Sequence, residues 1–274
     1  MLNNIKSKYI LKRILFNLLD KKRLDIIKYN KTIQKRLDIS IKNYKKYDII
    51  IIEIIPIEKL SAFYERNKFI NIIGKKSYYH IYFDESKVEI NRNCLLKDEK
   101  VKKIIVKINV KIKSFKKLFF ECQIIKEIKF KVFNIFHISD MSYMFSYCIN
   151  LIKLDVSKLK TDKTINMCNM FESCMKLKEL DLSNFNTNNL SNMNLMFYGC
   201  KSLKKLNISN FLTFEDCKMI SMFEKCKSLN SSYILQLYIP YKENNVLHIF
   251  NECSEELKRK IKSIKPYISS QAFI

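Results

Sequence analysis

Four Met-Phe dipeptides, Met144-Phe145, Met170-Phe171, Met196-Phe197 and Met222-Phe223, recur at one interval: 170−144, 196−170 and 222−196 are each 26. Cysteines keep the same phase at Cys148, Cys174, Cys200 and Cys226, and leucines at Leu151, Leu177, Leu203 and Leu229. The first three copies add a Leu-Asp/Asn-aliphatic-Ser string, in Leu154 to Ser157, Leu180 to Ser183 and Leu206 to Ser209. This many columns at one period confines the chain to a stack of like units, each burying its apolar face only against its neighbours. Stacks of this kind serve mostly as binding surfaces.

The copy from Leu177 to Ser202 shows the expected unit. On a strand Leu180-Asp181-Leu182-Ser183, alternation sends Leu180 and Leu182 to one face and Glu179, Asp181 and Ser183 to the other. Phe185 returns inward, and the polar run from Asn186 to Asn189 reads as a turn. Leu190, Met193, Met196 and Phe197 then follow at spacings of three and four, which predicts one side of a helical turn. In register, Phe145, Phe171, Phe197 and Phe223, Cys148, Cys174, Cys200 and Cys226, and Leu154, Leu180, Leu182 and Leu206 form the expected core. Leu118-Phe119 with Cys122, Ile125 and Ile128 reads as a degenerate first copy. Ile249-Phe250 with Cys253 reads as a last one at a spacing of 27, from 249−222. Ser254-Glu255-Glu256-Leu257 then caps a basic helix over 258–265.

The Leu-x-x-Leu-x-Leu-Ser and Met-Phe-x-x-Cys-x-x-Leu pattern, with its Asn-Thr-Asn-Asn-Leu-Ser-Asn-Met variety, resembles the BspA-like leucine-rich repeats of bacteria and AT-rich protists. The resemblance covers about residues 100–274. It implies an α/β fold: a right-handed leucine-rich-repeat solenoid with a parallel β-sheet face, used for binding. Many proteins of that family are secreted or on the cell surface. Tyr9, Ile10, Ile14, Leu15, Leu18 and Leu19, then Leu24, Ile27, Ile33 and Leu37, predict two amphipathic helices over 5–40. Their string loosely resembles an F-box, without its early proline and later tryptophan, and the other reading is a helical cap or small domain. Tyr78 to Phe83 and Val101 to Ile112 predict strands. The expected organisation is a helical N-terminal segment (1–60), a β-rich link (61–116), the repeats (117–253) and a helical C-terminal cap (254–274).

A net charge of +24 invites a phosphate- or lipid-binding role. Yet only 2 Gly, 3 Pro and 0 Trp accompany abundant Ile, Lys and Asn, the mark of AT-rich coding. The basic residues are not interleaved with aromatics, so no sequence-specific nucleic-acid partner is expected. The nine cysteines form no Cys-x-x-Cys pair, and their register predicts small buried hydrophobes rather than disulfides or zinc ligands. Residues 1–19 hold no uninterrupted signal core, and the apolar run 49–57 is broken by Glu53 and Pro56, far short of a membrane span. An intracellular, cytoplasmic protein is the expectation. His80, His137 and His248 lie far apart in sequence, and Gly74 and Gly199 make no phosphate loop. No enzyme chemistry, metal or cofactor is therefore expected.

Stacking lines up Lys153, Glu179 and Lys205, then Asp155, Asp181 and Asn207, then Ser157, Ser183 and Ser209 on the polar side of the sheet. The neighbouring aspartates can in principle hold a cation; a solvated ladder balanced by lysines is the simpler reading. These nine residues are the expected contact face for an unidentified protein partner. Two further readings stay open for the chain. One is a substrate adaptor of a cullin-type ubiquitin ligase, docking a Skp1-like protein through residues 5–40. The other is a surface adhesin.

Overall fold

The computed structural model describes residues 30–37, 49–60, 67–109, 112–135, 138–230, 232–240 and 242–274. The chain divides into two compact units, Met1–Ile49 and Ile50–Ile274. In the first, α1 (Lys31–Leu37) buries Ile33 and Leu37, one turn apart. Asn30 starts it, its Oδ1 accepting the Ile33 N–H at 3.0 Å as an N-cap does. The remainder of the expected two-helix segment, and most of its F-box-like string, lies outside the described residues.

The second unit is built mainly on strands. A five-stranded sheet runs in the order β2 (Tyr79–Phe83), β3 (Ile104–Asn109), β1 (Ile49–Pro56), β4 (Ile125–Phe133) and β5 (Lys153–Asp155). The β2–β3 and β1–β4 pairs are antiparallel, and β4–β5 is parallel. A separate parallel pair joins β6 (Glu179–Asp181) to β7 (Lys205–Asn207). Strict alternation in β1, with Ile50, Ile52 and Ile54 buried, places every second isoleucine in the core.

This corrects the expected α/β solenoid with a parallel face and a helical N-terminal segment. The sheet is mixed, the parallel ladder breaks between β5 and β6, and residues 49–56 form a strand. The helical spacing of Leu190, Met193, Met196 and Phe197 also misleads, because no helix forms there. Instead the chain runs as consecutive tight turns, and alternate N–H groups leave them. Tyr143, Phe145 and Tyr147 donate to Cys168, Met170 and Glu172 in the next repeat at 2.8–2.9 Å. The intervening Met144, Ser146 and Cys148 close turns onto Met141, Tyr143 and Phe145. An α-helix would spend these donors internally. Positive φ at two positions per repeat breaks any helix: Tyr143 and Tyr147, Asn169 and Ser173, Leu195 and Gly199, Ser221 and Lys225.

Side chains join the repeats as well. The phenyl rings of Phe119, Phe145, Phe171, Phe197, Phe223 and Phe250 stack at 5.4–5.7 Å with planes within 8° of parallel. Each Sγ–H of Cys148, Cys174, Cys200 and Cys226 donates to the phenylalanine carbonyl 29 residues back, at 3.0–3.2 Å. Cys253 does the same to Phe223. A column missed in the sequence is Thr161, Thr187 and Thr213, also 26 apart. Their buried hydroxyls donate to Asn186, Leu212 and Tyr238 carbonyls of the following repeat. At the C-terminal end α2 (Ser232–Gln236) is followed by α3 (Glu255–Ile264), whose cap Ser254 accepts the Leu257 N–H. The segment 270–273 closes the stack: Ala272 accepts the Phe250 N–H, and Phe273 packs on Phe250 at 5.8 Å.

Candidate functional site

The sheet's polar columns occupy two registers. Glu127 stands opposite Lys153 and Lys129 opposite Asp155 across β4–β5, while Glu179 faces Lys205 and Asp181 faces Asn207 across β6–β7. The parallel pleat makes three of these oppositions cross-strand charge pairs, Asp181 and the neutral Asn207 being the exception. Lys153 Nζ lies 3.7 Å from Glu127, Lys129 Nζ 3.1 Å from Asp155 and Lys205 Nζ 2.8 Å from Glu179. Hydrogen bonding to Glu179 and its charge hold the Lys205 ammonium above its ordinary pKa. Partial burial pushes the Asp155 carboxyl up, but bonds from Ser157 and Lys129 outweigh it and set it below the ordinary value.

The Asp/Asn column also shapes the backbone. Asp155, Asp181 and Asn207 each accept, through Oδ1, the N–H of the serine two residues on, at 3.1, 2.9 and 3.2 Å. Ser157, Ser183 and Ser209 are thereby held as turn residues, and Ser157 Oγ donates to Asp155 as well. Asp140, Asn166 and Asn192 make the same local bond at the start of the turn run. Such Asx turns explain why the position takes Asp and Asn alike. Among the described residues no group of three or more His, Cys, Asp or Glu is placed to hold a metal ion. His80 sits between Glu89 and Asn109, His248 Nδ1 lies 2.6 Å from the Ile274 carbonyl oxygen, and His137 lies outside the described residues.

The expected core residues Phe145, Cys148, Phe171, Cys174, Leu180, Leu182, Phe197, Cys200, Leu206, Phe223 and Cys226 are all buried. Leu154 differs: it is only partly buried. It sits in β5, on the side where the ladder stops. A groove of about 500 Å³ opens there, lined by Ile55, Ile128, Ile152 and Leu154 together with Glu53, Glu127, Lys129, Lys153, Asp155, Lys178 and Glu179. A second hollow of about 390 Å³ over β6 and β7 takes in Glu179, Asp181, Lys205 and Asn207. The face thus carries two shallow depressions, one at the break and one over β6 and β7, with Glu179 lining both. All nine cysteines are free thiols. Burial pushes Cys200 and Cys253 up to about 12 and Cys217 to about 11, which keeps them protonated and poor nucleophiles.

Residues 113–236 match the model of a family described as Mycoplasma protein of unknown function, DUF285. No curated protein and no solved structure matches the chain. Among the described residues no helix is long and apolar enough to cross a membrane.

Proposed function

We propose that the sheet side of the stacked repeats is a protein-binding surface and that the chain works by binding, not by catalysis. The observation that carries this reading is the groove at the β5–β6 break. Its apolar floor, Ile55, Ile128, Ile152 and Leu154, is rimmed by lysines and carboxylates, and an apolar centre inside a polar rim is the usual anatomy of a protein interface. The rim pairs are solvent-exposed, and such pairs contribute little to stability, so a partner exchanges them at small cost. Against catalysis stand thiols kept protonated by burial and titratable groups spent on local bonds. Ile152, 37% exposed, is the apolar contact a partner reaches first.

The test is affinity purification of the tagged protein from its own cells, comparing the unaltered chain with Ile152→Glu and with Lys163→Glu, a substitution outside the groove. A partner retained by Lys163→Glu and lost with Ile152→Glu supports the reading. A partner set unchanged by Ile152→Glu overturns it.

A further inference from the structure

The charge on the sheet's outer face is largely consumed by its own cross-strand pairs, so what a partner can still use lies elsewhere. It lies along the leading edge of the parallel strands, where the chain enters each one. Lys126, Lys178 and Lys204 occupy one repeat position there, since 178−126 is two periods of 26 and 204−178 is one. Backbone bonds join this edge on either side of the β5–β6 break: Ile152 N–H donates to Lys126 O, Lys204 N–H to Lys178 O and Asn230 N–H to Lys204 O. Lys201 and Lys227 form a column beside it. Lys126, Lys178, Lys201 and Lys204 make no ion pair among the described residues, whereas Glu127 and Glu179 are already engaged by Lys153 and Lys205. The far ends of the same strands carry Asp155, Asp181 and Asn207. The leading ends of these strands therefore carry lysines without ion pairs among the described residues, whereas Lys129 and Lys131, further along β4, are paired with Asp155 and Glu53.

Two further features narrow what this edge suits. Ile152 and Met175, both 37% exposed, lie among its lysines. A hollow of about 550 Å³ extends it, with Lys100, Lys102 and Lys126 around Ile57, Leu95 and Val101; of the two carboxylates that also line it, Glu58 and Glu99, the second is held by Arg92. No aromatic ring lies among the lining residues of that hollow or beside Lys178 and Lys204 in sequence. Single-stranded nucleic acid binds through such stacking platforms, and duplex binding needs no exposed aliphatics. Lysines interleaved with aliphatic side chains suit a chain bearing both carboxylates and apolar residues.

We propose that this leading edge docks an acidic protein segment, its carboxylates along Lys126, Lys178 and Lys204 and an apolar side chain in the hollow. The inference rests on the reading of the sheet side as a protein-binding surface and adds the partner's chemistry. Exposed lysines steer the encounter, and the aliphatic contacts hold it.

The experiment uses the full chain, a fluorescent peptide of alternating Glu and Leu, a Gln-Leu peptide of the same length, and poly-uridine RNA, at about 0.15 M salt, where the screening length is about 8 Å. The variants are Lys178→Glu/Lys204→Glu on the edge and Lys158→Glu/Lys163→Glu away from it, all four positions exposed. Matched thermal melts check the fold. The expected result is Glu-Leu binding about tenfold weaker in the edge variant, unchanged in the control and absent for the Gln-Leu peptide. Equal losses in both variants, or no Glu-Leu binding, overturn the proposal, as does RNA binding more tightly than the peptide and depending on the edge. The partner set read with Ile152→Glu stands apart: if it is lost there while the Glu-Leu peptide fails to bind, the binding surface stands and the acidic partner does not.

Discussion

Leu180 and Asp181 are adjacent on β6 and do opposite things. Leu180, 3% exposed, pairs with Leu206 of the next repeat; Leu180→Ala is expected to cost about 2–5 kcal/mol in denaturant melts, as buried leucine truncations do. Asp181 faces solvent, but its Oδ1 holds the Ser183 N–H at 2.9 Å. Asp181→Ala is therefore expected to cost up to about 1 kcal/mol, while Asp181→Asn, the residue that Asn207 supplies one repeat on, leaves stability unchanged. Equal losses for Leu180→Ala and Asp181→Ala would show the two faces to be interchanged. The inward leucines were readable in the sequence because strand alternation and the 26-residue period agree at those positions. The Asx turns were not, because Asp and Asn in one column look like a surface ladder until the bond to the serine is seen. Thr187 was missed for a related reason: a threonine reads as polar, yet its buried hydroxyl both donates to Leu212 O at 2.8 Å and accepts from Leu212 N–H at 2.7 Å. Thr187→Val leaves the Leu212 N–H and C=O without their part-buried partner and is expected to destabilise by about 1 kcal/mol.

Strands and turns were harder to read than side chains. Spacings of three and four are shared by a helix and by a run of tight turns, so Leu190, Met193, Met196 and Phe197 alone do not distinguish them. Left-handed backbone at Tyr143, Asn169, Leu195 and Ser221 carries no glycine to announce it. Only Gly199, at φ 69°, marks its column openly, and a Cβ there would come within 3.2 Å of Ser173 Oγ. Gly199→Ala is expected to cost about 1 kcal/mol. Ile49–Pro56 falls inside the expected helical segment 1–60 because an isoleucine-rich run shows no partner in the sequence; its partner, β4, begins 69 residues later, from 125−56. The break between β5 and β6 leaves β6 with no strand on its β5 side, whereas the Lys204 and Lys205 N–H groups both donate across to Lys178 O. Amides of 178–180 are expected to exchange with solvent sooner than those of 204–206, and equal protection would show a ladder continuous through the groove.

Across the folded protein, the thiol column couples stability to pH. Cys200 and Cys253 rise from an ordinary 9.0 to about 12, and burial is the leading cause. Burial also raises Cys122, Cys148, Cys174 and Cys226. Unfolded thiols lose their protons near pH 9 while folded ones keep them, so the folded state binds more protons above that pH. Stability is full below about pH 9 and declines as pH rises toward about 12, each thiol contributing up to about 1.4 kcal/mol per pH unit. Urea melts at pH 8, 10 and 11 should show a falling midpoint, with a smaller fall in Cys200→Ala; a flat profile would mean that solvent reaches the column. The period made the repeated unit readable throughout. It did not foretell the mixed sheet, because antiparallel partners from outside the repeats leave no trace in the period.

The phenyl stack from Phe119 to Phe250 has a consequence for how such a chain changes length. Because one ring per repeat meets the next in nearly the same orientation, the array is counted in whole units. Excising residues 171–196 would bring Phe145 against Phe197 with cysteine, threonine and turn registers intact, whereas a cut one residue longer or shorter would leave an off-length repeat, of the kind the array accommodates at its last step, where Phe223 and Phe250 are 27 apart and still stack. Copy number is thus the one dimension in which this protein can be shortened or extended without redesign, and with it the length of edge and groove that it offers.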